Sequence, residues 1–207
     1  MDLKMSTRKN FFLQFNEMPF FTSETINAVA ERFEIPRNTV ISYIQRSIKD
    51  KSLMRLKRGI FATAAYFEKQ RSNVEYAYAI GCKLLEPSYI SRESALQHYG
   101  ILSEAVNTVI TLITTQTTRR FTNRLGIMDY KNMNPNLFGG FEVVQKDFTY
   151  LIARPAKAIF DYLYYRIPRA DLRSKDKVLH SLDEFRLDYE GLGQKELDSL
   201  FELLKKV

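Results

Sequence analysis

The stretch PRNTVISYIQRSIKD, residues 36–50, decides the reading of the first third of the chain. Proline is tolerated at the first position of a helix, so Pro36 is expected to open one. On that helix Val40, Ile41, Ile44 and Ile48 fall on one side. Asn38, Thr39, Ser42, Gln45, Arg46 and Lys49 fall on the other, with Tyr43 flanking. One side is built for a core, and the opposite side carries short polar groups, amides and cations.

Upstream, a second amphipathic helix is expected. Thr22 reads as its N-cap, with Phe21 and Ile26 at the spacing of a hydrophobic staple around it. Glu24 lies in the first turn, where the helix dipole favours an anion. Ile26, Val29, Ala30 and Phe33 recur at helical spacing, and Glu34-Ile35 forms a short break before Pro36. Before that, Phe11, Phe12 and Phe15 suit a first helix over residues 5–17, ended by Pro19. Two helices joined by a short turn, the second with a polar and cationic outer face, form the helix-turn-helix pattern.

Downstream, LMRLKRGIFA (residues 53–62) alternates apolar and basic residues on both sides of Arg58-Gly59. Such alternation suits a half-exposed strand pair, and glycine permits the positive φ of a tight hairpin. A helix-turn-helix followed by a basic hairpin is the winged-helix arrangement. Leu53, Leu56, Ile60 and Phe61 would anchor the hairpin to the core.

Charge separates the functional readings of this segment. The chain has 207 residues and a net charge of +7. Residues 1–71 hold 13 Lys/Arg against 7 Asp/Glu, a balance of +6. From Ile35 to Arg58 there are seven cations and one acid, Asp50. A basic module joined to a near-neutral remainder points to a polyanion partner. On this reading Asn38, Thr39, Ser42, Gln45 and Arg46 read base edges in a major groove. Arg37, Tyr43, Lys49, Lys57 and Arg58 grip phosphates. The competing readings are a charged face that only solvates its helix and a winged helix that binds protein.

Composition bounds the rest. At 45% hydrophobic residues the chain can bury a sizeable core. A single cysteine, Cys82, rules out an internal disulfide, and one Cys with two His (His98 and His180) cannot make the usual structural zinc set. The N-terminus lacks the apolar core of a signal peptide, and no apolar run approaches membrane-spanning length. A cytoplasmic, non-membrane protein is expected. Its organisation is expected to be α+β, with a winged helix-turn-helix domain over residues 1–68 and a mixed α+β domain over 72–207.

Within the second domain, ATAAYFEKQRS (62–72) reads as a connector. A helix should follow Asn73 and stop at Pro87. Tyr89-Ile90-Ser91 reads as a brief strand, with Ser91 capping a helix closed by Gly100. Val106–Thr115 reads as a strand. Strand pairs are expected around Gly126 and around Lys146-Asp147. Pro155 should open a helix, followed by two more near 175–187 and 194–206.

Signatures of catalysis are lacking: no GxGxxG, no P-loop and no GxSxG. Gly139-Gly140 reads as a turn or bulge. Asp129-Tyr130-Lys131 has the acid-x-Lys spacing of some metal-dependent nucleases, with an exposed hairpin end as the simpler account. No catalytic residue, metal or cofactor is assigned, and the chain is read as a non-enzyme. Arg119, Arg120 and Arg124 form a candidate secondary basic patch toward flanking DNA, RNA or an acidic protein surface. Solvated strand cations are the alternative.

Four segments carry a resemblance. Tyr89-Ile90-Ser91-Arg92-Glu93-Ser94-Ala95-Leu96, closed by Gly100, resembles the "YxSxxSAL…G" segment of the AbiE-type abortive-infection antitoxins. Thr115–Phe121 (TQTTRRF) resembles their "T…TR…F" strand. Arg154–Tyr164 (RPAKAIFDYLY) resembles their "TPEKALLDYLY" helix, with Ala156 in place of Glu. RLKRGIFA resembles the basic wing before their linker. The resemblance runs from about residue 8 to 166. It implies a bacterial phage-defence antitoxin of type IV. Such a protein represses its own operon by binding inverted repeats in the promoter. It counters a nucleotidyltransferase-like toxin without a stable complex. A protein-interaction antitoxin, or a plain transcriptional regulator, is the alternative.

Overall fold

The computed structural model describes residues 3–103 and 109–207. The chain is α+β and divides into two compact units. The first runs to Tyr76 and also includes Asn123–Leu125; the second comprises Ala77–Thr122 and Gly126–Val207.

The first unit contains α1 (Leu3–Leu13), β1 (Phe21–Thr22), α2 (Ser23–Arg32), α3 (Arg37–Lys49), β2 (Leu53–Lys57), β3 (Ile60–Thr63) and α4 (Ala64–Gln70). Its core joins Phe11, Phe15, Phe21, Ile26, Ala30, Val40, Leu53 and Phe61. Most of the aromatics meet edge to face or tilted, with Phe15 and Phe21 centroids 4.4 Å apart, and Phe21 stacks on Phe61. Burying each such ring contributes about 2 kcal/mol. Thr22 caps α2 as its sequence implies: its hydroxyl accepts from Thr25 N, and Thr25 completes a capping box. Pro36 stands one residue before α3 rather than inside it, and its carbonyl accepts from Thr39 N and Val40 N.

The turn between α2 and α3 closes as a Schellman motif. Ile35 N donates to Ala30 O (2.9 Å) and Glu34 N to Glu31 O (3.1 Å). Glu34 takes φ 53° there, a left-handed conformation that favours glycine. Glu34→Gly is therefore expected to stabilise the protein by about 0.5–1 kcal/mol, since relief of strain exceeds the added freedom of the unfolded chain. An unchanged or lower midpoint in urea would show that the turn carries no strain.

The three-stranded sheet has the order β1-β3-β2, all antiparallel, with Phe21 opposite Phe61. Between Arg55 and Lys57 the register shifts, leaving Leu56 as a bulge residue. Leu53 lies on one face of β2 and Met54 and Leu56 on the other, and all three are buried, so the strand is covered on both sides. ATAAYFEKQRS, expected to be a connector, instead contains α4, capped by Thr63 and buried through Phe67. One helical turn of apolar residues was too short a run to declare itself.

The second unit is built on a six-stranded sheet of order β6-β7-β5-β4-β9-β8. Its strands are β4 (Ser88–Ile90), β5 (Val109–Thr114), β6 (Arg119–Asn123), β7 (Gly126–Asn132), β8 (Phe141–Gln145) and β9 (Thr149–Ala153). β5 lies parallel to β7 and antiparallel to β4, while β4 lies parallel to β9. Ile110 to Thr114 are all buried, which matches a run rich in β-branched residues in a central strand. The expected strand began at Val106; residues 106–108 lie outside the described residues.

The helices are α5 (Val74–Leu84), α6 (Glu93–His98), α7 (Pro155–Tyr164), α8 (Arg169–Leu172), α9 (Lys175–Glu184) and α10 (Gln194–Leu204). α7 is buried continuously from Ala156 to Leu163. At its N-terminus Ala156 N donates to Glu196 Oε2 (2.9 Å), so α10 supplies the carboxylate that residue 156 lacks. Among the described residues no helix is long and apolar enough to cross a membrane.

Candidate nucleic-acid interface

The outer face of α3 is the most distinctive surface of the first unit. Arg37, Asn38, Ile41, Gln45, Arg46 and Lys49 are exposed on it. Spacings of three and four residues place Asn38, Ile41, Gln45 and Lys49 in one row along the helix. Arg37 and Arg46 flank that row. Thr39 is half-buried. Ser42 is half-buried as well, and its hydroxyl donates to Asn38 O (3.1 Å), which leaves only its lone pairs to face outward. Tyr43 is half-buried and packs against the core, its ring centroid 6.2 Å from that of Phe11.

One residue moves sides relative to the sequence reading. Ile41 was expected in the apolar stripe but is exposed, and Ser47 is buried in its stead. Val40, Tyr43, Ile44, Ser47 and Ile48 form the inward face.

Electrostatics sharpen the face. Asp50, the one acid between Ile35 and Arg58, binds Arg8 Nη2 through Oδ2 (2.7 Å) and Ser52 Oγ through Oδ1 (2.6 Å). Burial pushes its carboxyl up, but the Ser52 hydrogen bonds and Arg8 outweigh that and hold it below the ordinary range. Its charge is thus committed at the C-terminal end of α3. No side chain caps the N-terminus of α3 among the described residues.

The hairpin of β2 and β3 turns through Arg58-Gly59, with Gly59 at φ 80°. Arg55 and Arg58 are exposed and Lys57 is half-buried. The Arg55 guanidinium lies 5.9 Å from the Phe61 ring centroid. Gly59 O accepts from Ser23 N (3.0 Å), so the tip is tied to the first residue of α2. The hairpin is a short, braced loop.

Of the three arginines proposed as a secondary patch, Arg120 and Arg124 have separate partners. Arg120 Nε binds Asp129 Oδ1 (3.2 Å) in the second unit. Arg124, in the first unit, binds Glu68 Oε1 (2.8 Å) and stacks 4.8 Å from the Phe67 ring centroid. Arg119 is exposed. Asp129 is buried on β7, where an exposed hairpin end was expected. Its oxygens face Arg92 (3.3 Å) and Arg120 (3.2 Å). Glu93 bridges Arg92 (3.2 Å) and Arg166 (2.9 Å). Arg92 itself holds φ 55°.

The second unit contains a buried polar network that the sequence reading missed. Lys157 and Asp161 are 1% and 0% exposed. Lys157 Nζ donates to Asp161 Oδ1 (2.6 Å) and Leu137 O (2.8 Å). Asp161 Oδ2 accepts from Ser91 Oγ (2.6 Å) and Tyr89 OH (3.0 Å). Burial raises the Asp161 carboxyl, opposed by Lys157, Ser91 and Tyr89. Ser91 therefore serves this network and does not cap α6, whose N-cap is Arg92. Gly140, at φ 69°, lets the Lys157 stem pass; a Cβ there would lie 3.1 Å from it. The signal was a Lys and an Asp four residues apart inside an otherwise apolar helix.

Cys82 is half-buried, and burial pushes its thiol up to about 11. His98 and His180 are exposed. No group of three or more His, Cys, Asp or Glu converges as a metal site among the described residues. No family model matches the chain, and no curated protein matches it.

Proposed function

We propose that the first unit is a winged helix-turn-helix that binds double-stranded DNA, and that the protein is a DNA-binding repressor of the abortive-infection antitoxin type. The observation that carries the DNA reading is the outer face of α3. It joins two amides and three cations on one exposed surface, and Asp50, the one acid between Ile35 and Arg58, is tied to Arg8. Arg46 suits a two-pronged contact to guanine, and Asn38 or Gln45 suits adenine. The uncapped N-terminus of α3 and Arg37 favour a phosphate, as does the exposed Arg58 at the hairpin tip.

The antitoxin reading rests on the four motif resemblances. Their supporting observation is physical: Tyr89 and Ser91 from one motif meet Lys157 and Asp161 from another in a single buried network. Two motifs that specify one buried contact set behave as a fold signature. On this reading the second unit carries the antitoxic role toward a nucleotidyltransferase-like toxin.

Fluorescence anisotropy of full-length protein against a duplex from its own promoter and a shuffled duplex tests the DNA reading. Arg46→Ala is expected to cut the preference for promoter over shuffled DNA by about tenfold or more, the value of one bidentate base contact. Lys57→Ala with Arg58→Ala should instead weaken binding to both duplexes alike. Equal, negligible binding to both duplexes by the unaltered protein would refute the DNA reading and leave a protein-interaction module.

A further inference from the structure

The reading face of α3 contains one residue whose chemistry polar recognition does not use. Ile41 is 46% exposed, one helical turn after Arg37 and one before Gln45. The other branched aliphatic residues of α3 are turned inward: Val40 is buried, and Ile44 and Ile48 pack against the core. A stiff, β-branched side chain thus stands in the middle of a polar and cationic row. It has no role in gripping phosphate, and it cannot hydrogen-bond a base.

Base edges in a major groove offer mainly hydrogen-bond donors and acceptors. The apolar group there is the 5-methyl of thymine. We infer that Ile41 is a specificity-determining residue that reads a thymine methyl beside the base contacted by Gln45. The inference rests on the proposed DNA reading and deepens it, because it commits the protein to methyl-bearing B-form duplex. Uracil lacks this methyl, and the major groove of A-form RNA is too deep and narrow for side chains to read. Gln45 suits adenine, so the two neighbours together select for an A·T-containing step at the centre of the site.

The experiment begins with full-length protein and a random duplex library, from which bound sequences are enriched. Each thymine of the enriched site is then replaced singly by deoxyuridine, which removes the methyl and leaves base pairing intact. Unaltered protein should lose about fourfold in affinity at one thymine per bound helix, the value of one buried methyl group. Ile41→Ala should bind the thymine duplex correspondingly less well and be indifferent to deoxyuridine at that position, while Ile41→Val keeps part of the sensitivity. Ile41 is exposed, and a thermal melt of each variant checks that the fold is intact. If deoxyuridine has no effect at any position, Ile41 reads no methyl. If it weakens the unaltered protein and Ile41→Ala equally, another residue reads it, and the assignment is overturned. Failure to enrich any duplex refutes the DNA reading beneath, and this inference with it.

Discussion

Lys157→Met should lower the melting temperature by about 10 °C. The substitution keeps the stem that lies against Gly140 but removes the ammonium. Asp161 then remains fully buried with two hydroxyl donors and no counter-charge, and Leu137 O loses its donor. Breaking a buried pair in this way costs about 3–5 kcal/mol. In a chain of this size each kcal/mol moves the midpoint by about 2–4 °C. The paired variant Lys157→Met/Asp161→Asn separates charge from packing. Asparagine still accepts from Ser91 and Tyr89, so the double variant should melt well above the single one, although it has lost more charge. Circular dichroism melts decide the matter. A single variant within about 2 °C of the parent, or a double variant worse than the single, would mean that α7 is held by its apolar face alone.

Affinity for DNA should fall about a hundredfold between 50 and 200 mM salt. Arg37, Lys49, Lys57 and Arg58 are the cations assigned to phosphates. Each neutralised phosphate releases counterions, so four contacts give a log–log slope of about −3.6. Over a fourfold rise in salt that slope amounts to roughly two orders of magnitude. Removing Lys57 and Arg58 should bring the slope to about −1.8. Titrations at four salt concentrations measure both slopes. A flat profile for the unaltered protein would place recognition elsewhere than on phosphates, and an unaltered slope in the double variant would remove the hairpin from the interface.

How far these features are legible in the sequence depends on whether local or distant residues decide them. The cap at Thr22, the strand break at Gly59 and the helix beginning at Pro155 are local, set by side chains within a turn of the backbone they control. All three elements stand where the sequence places them. Ile41 is different. It lies next to Val40 and three residues before Ile44, and periodicity alone allows it either face. The side it takes is settled by tertiary packing: Val40, Tyr43, Ile44 and Ile48 meet the core, with Tyr43 against the Phe11 ring of α1.

Buried charged residues are the other feature that local pattern does not reveal. Lys157, Asp161 and Asp129 are types whose default is exposure, and partners 4 to 72 positions away make their burial tolerable. Ser91 shows the same competition at close range. A serine before a helix ordinarily caps it, but here the Asp161 carboxylate takes the hydroxyl.

The make-up of the first unit bears on the order of synthesis. The aromatic cluster of Phe11, Phe15, Phe21 and Phe61 is encoded by residue 61, so the α2–α3 pair and its hairpin can close before the chain is finished. Three of its residues, Asn123–Leu125, are encoded far downstream. Until they emerge, the Leu56 carbonyl lacks the amide of Asn123 (3.3 Å), and the Phe67 ring lacks its covering guanidinium. A ribosome stalled between the two segments would therefore hold a nascent unit with a formed core and an unfinished edge.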